Sequence, residues 1–326
     1  MSATQLNPAA EASPLISRQW LSDYSMPLAY LVLFAVLSAT VDNFFSVTNV
    51  VGLMLSVAQI GMVACTMMFC LASRDFDLSV GSTIAFAGVL GAIVLEQSGS
   101  VTIAVAAGLG AGALIGALNG VLIAYLRVNA LIATLATMLM VRGLAFIVSK
   151  GQAVGINDDN FIDFGDTRIF GMPLPVLVAG ACFIVFGVLL NQTVFGRNTL
   201  AIGGNPEAAR LAGVRVERLR VWIFLLQGLI TAMAGLILAS RITSGQPNAA
   251  QGFELDVISA CVLGGVSLQG GKARIFGVLI GVLIMGTVEN VMNLLDVDAF
   301  YQYLMRGLIL LVAVLLDQLK TRGERR

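Results

Sequence analysis

The sequence predicts an all-α membrane protein in which about ten transmembrane helices form two inverted-topology repeats of five helices each. Three observations predict this class. Of the 326 residues, 58% are hydrophobic and only 12% are charged, whereas roughly 25% of residues are charged in an average soluble domain. The hydrophobic residues form ten separate runs, and basic residues gather between alternate runs. Short motifs of the first half also recur, in the same order, in the second half.

Each apolar run is a candidate transmembrane helix, because a helix needs about 20 mostly apolar residues to cross a bilayer. The first and eighth runs are shorter than this, so we expect them to be tilted, extended by their flanks or broken. The runs define a permease domain at residues 26–317, with tails at residues 1–25 and 318–326. In chain order the runs lie near residues 27–41, 50–71, 78–95, 101–126, 130–148, 173–191, 221–239, 255–268, 275–295 and 302–317.

Lysine and arginine residues set the expected orientation, because membrane proteins keep short loops rich in these residues on the cytoplasmic side. Both termini are therefore predicted to be cytoplasmic. With that orientation the inner side holds Arg18, Arg74, Arg127, Arg197, Arg210, Arg215, Arg218, Arg220, Lys272, Arg274, Lys320, Arg322, Arg325 and Arg326. The outer side holds only Lys150, Arg168 and Arg241, and the remaining two arginines, Arg142 and Arg306, fall inside apolar runs.

Four motifs occur twice, and the copies are five runs apart. Because five is odd, the copies should face opposite sides of the membrane, with one repeat at about residues 26–150 and the other at about 173–317. This architecture is typical of transporters but does not identify their energy source, since ion-driven carriers share it. The pairs are Leu71–Arg74 with Leu238–Arg241, Phe76–Ser82 with Phe253–Ser259, Gly112–Leu118 with Gly277–Leu283, and Val141–Leu144 with Met305–Leu308.

A stripe of glycines follows one side of the fourth run. Glycines at every fourth position let the backbone of a neighbouring helix approach closely, so we interpret the stripe as helix packing rather than as part of a path. Gly277 and Gly281 are expected to pack in the same way in the ninth run. The stripe consists of Gly108, Gly112, Gly116 and Gly120.

The composition argues against several classes of function. A net charge of zero gives no sign of nucleic-acid binding, and the chain has no histidine, which removes most metal sites and most acid–base catalysis. An intramembrane enzyme would need a nucleophile with its base or a carboxylate pair, and Glu289 is the one clear acid at membrane depth. Segment Gly265–Ala273 lacks both the spacing and the magnesium-binding hydroxyl of a phosphate-binding loop. We therefore expect no cofactor, and any ATP hydrolysis must come from another chain.

Polar side chains inside the apolar runs are candidates for a translocation path. They are costly in lipid, so they should face the bundle interior, where amides and hydroxyls suit a neutral, hydroxyl-rich solute. Two alternatives stay open: a threonine can bond to its own helix, and Glu289 can simply pair with Arg142 or Arg306. The candidates are Gln59, Asn119, Thr134, Thr137, Arg142, Gln227, Thr231, Glu289, Asn290, Asn293 and Arg306.

A polar segment, residues 196–214, lies within the predicted cytoplasmic loop at 192–220, and we call it the island. It has the signals of a short surface helix at 206–212: an N-cap asparagine, proline in the first turn, an acid beside the positive helix end and a glycine at the C-cap. We expect it to dock a separate protein. Its candidate docking residues are Gly196, Arg197, Gly203, Gly204, Asn205, Pro206, Glu207, Ala208, Ala209, Arg210 and Gly213.

The island resembles the coupling loop in the permease subunits of ribose- and arabinose-type ABC importers. The resemblance to this ribose/arabinose/xylose permease family extends over about residues 40–317. The motifs nearest to its L-arabinose members include Phe76–Val80, Thr134–Met138, Val141–Ala145, Thr243–Pro247, Cys261–Leu268 and Gly286–Asn290.

The resemblance implies a homodimeric permease in the lipid bilayer of a bacterial inner membrane. It also implies a cytoplasmic ABC ATPase on the island, a periplasmic sugar-binding protein and a pentose substrate, with L-arabinose expected. The alternative is an ion-coupled secondary sugar transporter that works alone. The resemblance assigns no enzymatic activity to this chain.

Overall fold

The protein is described here from residue 18 to residue 324 by a computed structural model. Most of the predicted N-terminal tail and the end of the C-terminal tail, with Arg325 and Arg326, lie outside the described residues. The described chain is mostly helical. In chain order the helices are α1 Arg18–Thr40, α2 Val47–Ala72, α3 Val80–Ser98, α4 Val101–Ala124, α5 Ala130–Val148, α6 Asp159–Asp166, α7 Leu174–Gln192, α8 Val194–Gly204, α9 Pro206–Leu211, α10 Val216–Arg241, α11 Phe253–Leu263, α12 Ile275–Leu294 and α13 Ala299–Glu324.

Seven of the described helices are long and apolar enough to cross a membrane, namely α2, α3, α4, α5, α7, α10 and α12. Shorter apolar stretches occupy Met26–Thr40 of α1 and Phe300–Leu315 of α13. The eighth predicted run is broken, which is one of the outcomes expected from its short length. Its helix α11 has only 11 residues and ends at Leu263, because Gly265 takes a left-handed φ of 83° that breaks the helix before residue 268.

Polar residues set several helix starts. Ser46 accepts a hydrogen bond from the Asn49 backbone N–H at the start of α2. Asn129 accepts hydrogen bonds from Leu131 N and Ile132 N at the start of α5. These N-caps satisfy backbone donors that have no partner within the helix.

The centre of the bundle is formed by α2 and α10. Every residue of α2 from Ile60 to Ala72 is buried. Helix α10 packs against α2, α3 and α4, while α12 packs against α2 and α11. Most buried side chains of these helices form one apolar core, and a second, smaller cluster joins parts of α3, α4 and α10 to Phe161 of α6.

The glycine stripe of α4 lies against α10, as the sequence predicts. A Cβ at Gly116 would meet the carbonyl oxygen of Phe224, and one at Gly112 would meet that of Gly228. A Cβ at Gly281 would likewise meet the carbonyl oxygen of Ala260 on α11. The backbones are therefore in direct contact at these positions, and only glycine fits.

The bundle has two ends. We call the end that carries α8 and α9 the island face; the last residues of α2 and the start of α10 lie there. At the opposite face, β1 Val154–Gly155 pairs antiparallel with β4 Ser244–Gly245, and β2 Arg168–Ile169 forms a hairpin with β3 Met172–Pro173. Ser240 Oγ donates hydrogen bonds to the carbonyl oxygens of Phe161 and Ile162, which attaches α6 to the end of α10.

Candidate functional site

The island contains a short helix with the predicted caps. Helix α9 runs from Pro206 to Leu211, and Asn205 Oδ1 accepts hydrogen bonds from Glu207 N at 3.0 Å and Ala208 N at 3.1 Å. Gly213 follows the helix with a left-handed φ of 87°. The cap prediction is confirmed, and the helix ends one residue earlier than expected.

An ion-pair chain fixes α9 to the start of α10. Arg210 Nη1 lies 2.9 Å from Glu207 Oε1, and Arg210 Nη2 also pairs with Glu217. Hydrogen bonds to Glu217 and Glu207 raise the pKa of Arg210. Beneath these charges Ala209 is buried in a small apolar cluster with Ile202 and Val216. The island thus forms a platform that packs on the bundle through this apolar cluster.

Three segments meet beside the platform, and we call their meeting point the junction: Ala72–Arg74, Gly203–Gly204 and Gln269–Gly271. Arg74 donates from Nη2 to the carbonyl oxygen of Gly204 at 2.8 Å and from Nε to that of Gln269 at 2.6 Å. Gly271 N donates to Ala72 O at 2.9 Å. A Cβ at Gly203 would collide with Ala72 O and Gly271 N. The junction joins the island to α2 and to the segment between α11 and α12.

A cavity of about 660 Å³, the island cavity, opens between α9 and the ends of the neighbouring helices. Arg220 Nε lies 3.0 Å from Asp75 Oδ2 in its wall, without the alignment of a hydrogen bond. Burial raises the pKa of Asp75 to about 6, although Arg220 and a hydrogen bond from Ser73 act to lower it. The lining consists of Arg74, Asp75, Phe76, Ile123, Ala124, Arg127, Val128, Asn129, Ala130, Leu131, Pro206, Glu207, Arg210, Val216, Glu217 and Arg220.

A second cavity, of about 480 Å³, opens at the opposite face, and we call it the polar pocket. Arg306 is held between two carboxylates, with Nη1 3.1 Å from Asp256 Oδ2 and Nη2 2.9 Å from Glu289 Oε1. The Arg306 guanidinium also lies 5.9 Å from the centre of the Tyr303 ring. The lining consists of Ser56, Gln59, Ile60, Leu238, Asn248, Ala250, Gln251, Phe253, Asp256, Glu289, Tyr303 and Arg306.

The arrangement of apolar helices, island and polar pocket suits a membrane transporter. A family model described as "Branched-chain amino acid transport system / permease component" matches residues 49–314. The chain belongs to this family. It is an ABC-transporter permease in a membrane, a transport subunit and not an enzyme.

The permease has relatives that align over nearly their whole length. The L-arabinose transport system permease protein AraH of Escherichia coli (strain K12) is 55% identical over 97% of this chain and 96% of its own. The L-arabinose ABC transporter permease protein AraH of Azospirillum brasilense is 51% identical over 99% and 96%. The ribose import permease protein RbsC of Escherichia coli (strain K12) is 40% identical over 93% and 96%. No solved structure matches the chain.

Three of the eleven candidate path residues of the permease, Gln59, Glu289 and Arg306, line the polar pocket. Glu289 pairs with Arg306, whereas Arg142 donates to the carbonyl oxygens of Pro247 and Ala249. This decides which arginine is the partner of Glu289.

The other polar candidates are spread through the bundle. Asn119 accepts a hydrogen bond from Thr137 and donates one to Ser79. Thr134 bonds to its own helix at Ala130 O, as one alternative proposed. Asn290 pairs with Asn49 on α2, and Asn293 accepts from Gln302 on α13.

Gln227 and Thr231 are fully buried on α10, and their side chains have no hydrogen-bond partner in the described chain. They lie one helical turn apart, on the side of α10 that carries Leu238 toward the polar pocket. The structure therefore does not bring all eleven candidates to one path.

The roles of two residues, Asp256 and Arg74, were missed in the sequence analysis. Asp256 lines the polar pocket, but in the sequence it lies at the start of the short eighth run, 255–268, and it is not among the candidate path residues. Arg74 belongs to the junction but was counted only as a basic loop residue. The glycine pair Gly270–Gly271 is the sequence feature that marks the junction. Only the fold shows that this pair lies against Arg74 and Gly203–Gly204.

Proposed function

We propose that this permease translocates a pentose, L-arabinose, across a bacterial inner membrane as a subunit of an ABC importer. The observation that carries the substrate is the identity of 55% and 51% to two permeases named for L-arabinose, against 40% to one named for ribose. A separate ATPase subunit hydrolyses ATP in the cytoplasm. A periplasmic binding protein delivers the sugar.

The island is the docking surface for the ATPase in this proposal. Its helix is capped at both ends and fixed by Arg210, so it can transmit force without unfolding. Leu211 at its end is 90% exposed, so an apolar side chain is available there for contact with the ATPase. Gly204 and Arg197 are also exposed, whereas Gly203 is buried in the junction and acts on the shape of the island.

The proposed topology has ten crossings, with both termini in the cytoplasm and repeats at about 26–150 and 173–317. The packing supports two equivalent repeats, because corresponding helices make corresponding contacts. The contact of α4 with α10 has its counterpart in that of α12 with α2, and the contact of α3 with α5 has its counterpart in that of α11 with α13. The permease domain is then residues 26–317, with cytoplasmic tails at 1–25 and 318–326 and a coupling loop at 192–220. A second copy of the chain completes the membrane part of the importer.

Complementation tests the substrate and the energy source together. The gene is expressed in a bacterium that lacks its own L-arabinose and ribose permeases and its secondary carriers for both sugars, but keeps the ATPases and binding proteins that match the two permeases. We expect growth on L-arabinose and not on ribose. A parallel strain that also lacks these ATPases should not grow. Growth of that second strain on L-arabinose would favour the ion-coupled transporter and contradict the proposal.

A further inference from the structure

The polar pocket has unused hydrogen-bonding groups. The side-chain amides of Gln59, Asn248 and Gln251 line it, and none of the three has a hydrogen-bond partner within residues 18–324. Each amide offers two donors and an acceptor. Asn248 and Gln251 are exposed and Gln59 is half-buried, so these groups are open to a solute that enters the pocket. The polar pocket therefore has the capacity to bind a ligand that both donates and accepts.

Asp256 provides a stronger indication. Its residue is 4% exposed, and Oδ2 pairs with Arg306. The other carboxylate oxygen, Oδ1, is buried and has no hydrogen-bond partner in the described chain. Leaving a buried acceptor unsatisfied costs free energy, more so for a charged group. A donor from outside the chain that reached the Asp256 carboxylate would remove this cost.

The charges of the polar pocket restrict the ligand. Asp256 and Glu289 contribute two negative charges and Arg306 one positive charge, so the pocket disfavours anions. A sugar hydroxyl can donate to a carboxylate while it accepts from an amide. The volume of about 480 Å³ is ample for a monosaccharide.

We propose that the polar pocket is a monosaccharide-binding site of the permease itself, in which the Asp256 carboxylate accepts a hydrogen bond from a hydroxyl of the pentose. Gln59, Asn248 and Gln251 bind further hydroxyls, and the Tyr303 ring borders the pocket beside Arg306. This proposal rests on the proposed function for the identity of the sugar. It adds that the membrane subunit recognises the sugar after the binding protein has released it.

A cysteine reporter tests the site in purified permease in lipid nanodiscs, without ATPase or binding protein. Ser56→Cys places a thiol in the lining of the polar pocket, at a partly exposed position that is not one of the proposed sugar ligands. The native residues Cys65, Cys70, Cys182 and Cys261 are all buried, so a polar maleimide should label only the reporter. L-arabinose is expected to slow labelling in a saturable manner. The matched control is Asn160→Cys on α6, an exposed position outside the pocket, whose labelling should not change.

Two variants in the reporter background make the test specific. Asp256→Asn should raise the L-arabinose concentration that gives half-maximal protection about tenfold. This is the change in affinity expected when one hydrogen bond to a charged group is lost. Glu96→Gln makes the same carboxylate-to-amide change at an exposed position at the end of α3, outside the pocket lining, and should leave this concentration unchanged. Thermal unfolding of each variant shows whether it is folded, and Gln59→Leu provides a second pocket variant that leaves the Arg306 ion pairs in place.

The outcomes separate this site from the proposed function. If L-arabinose gives no protection, or if it protects Asn160→Cys equally, the site is overturned, even where the complete importer still takes up L-arabinose. Protection by tetramethylammonium instead of the sugar would also overturn it, since the net negative charge would then select cations. Saturable protection with no ATP-driven uptake would support the site and contradict the proposed function.

Discussion

Arg74 donates a hydrogen bond from Nη2 to the carbonyl oxygen of Gly204 across 2.8 Å, and this bond ties the end of α2 to the island. The same guanidinium reaches Gln269 in the segment that leads from α11 to α12. Helices α2, α11 and α12 carry Gln59, Asp256 and Glu289 into the polar pocket at the other end of the bundle. The junction therefore gives the island a direct connection to the helices that line the pocket.

Arg74→Ala should uncouple ATP hydrolysis from transport in part. It removes two hydrogen bonds, each worth about 1 kcal/mol net, but leaves the ion pairs that hold α9 to α10. The number of pentose molecules imported per ATP, measured in the reconstituted importer, should fall while the importer still assembles. Arg168→Ala, an exposed arginine at the opposite face, serves as the control. If the number of pentose molecules imported per ATP were unchanged in Arg74→Ala, the junction would have no part in coupling ATP hydrolysis to transport.

Asp75 should make stability depend on pH. Burial raises its pKa to about 6, whereas an unfolded aspartate has a pKa of about 3.9. Between these values the folded state binds more protons than the unfolded state, so the free energy of unfolding should increase as the pH falls from 7 to 5. Asp75→Asn should remove this part of the pH dependence. Thermal unfolding followed by tryptophan fluorescence at both pH values gives the comparison, and parallel curves for the two proteins would refute it.

The glycine stripe offers a matched pair of substitutions on one helix. Gly116→Val drives a side chain into the carbonyl of Phe224, whereas nothing lies within 4 Å of a Cβ at Gly110. Gly116→Val should therefore lower stability by about 1–3 kcal/mol, the usual cost of overpacking, or more if α4 and α10 must separate. Gly110→Val should have little effect. Equal losses of thermal stability in detergent would mean that α4 and α10 do not pack at the stripe.

Labelling from each side of the membrane tests the topology. The serines of the two Leu-Ala-Ser-Arg motifs, Ser73 and Ser240, are both buried and unsuitable as reporters. Arg218 and Gln152 are exposed at the island face and the opposite face. Arg218→Cys should react with an impermeant thiol reagent only in inside-out vesicles, and Gln152→Cys only from the outside of intact cells. Reaction of both residues from one side would rule out the proposed topology.

The sequence allowed good prediction of features that depend on local patterns. The apolar runs gave most helices within a few residues, because spanning length and hydrophobicity are local properties. The caps of α9 were predictable from Asn205 and Gly213 for the same reason. The short eighth run was expected to be tilted, extended or broken, but only the fold shows which of these occurs, because the break depends on the left-handed φ of Gly265.

The sites were less predictable because they depend on contacts between distant segments. Polarity at membrane depth identified Gln59, Glu289 and Arg306 but gave equal weight to Asn119 and Thr134, whose side chains bond within the bundle. No local pattern shows that Asp256 faces Arg306. The polar pocket is a property of the packing of α2, α11, α12 and α13.

The most direct test of the central claim, that an ATPase docked on the island drives pentose import through this chain, is uptake of labelled L-arabinose into proteoliposomes. Three variants weaken the island. Asn205→Ala should cost about 1 kcal/mol of helix stability, Glu207→Lys puts a positive charge at the positive helix end, and Gly213→Val forbids the left-handed cap. Lys150→Ala at the opposite face is the control.

With ATPase, binding protein and ATP present, the unmodified permease should accumulate L-arabinose. The Asn205→Ala variant should do so more slowly, and Glu207→Lys and Gly213→Val should lose both uptake and sugar-stimulated ATP hydrolysis while they remain folded in the membrane. Vesicles that hold the permease alone should accumulate nothing under an ion gradient. Accumulation of L-arabinose in those vesicles, independent of ATP, would contradict the account.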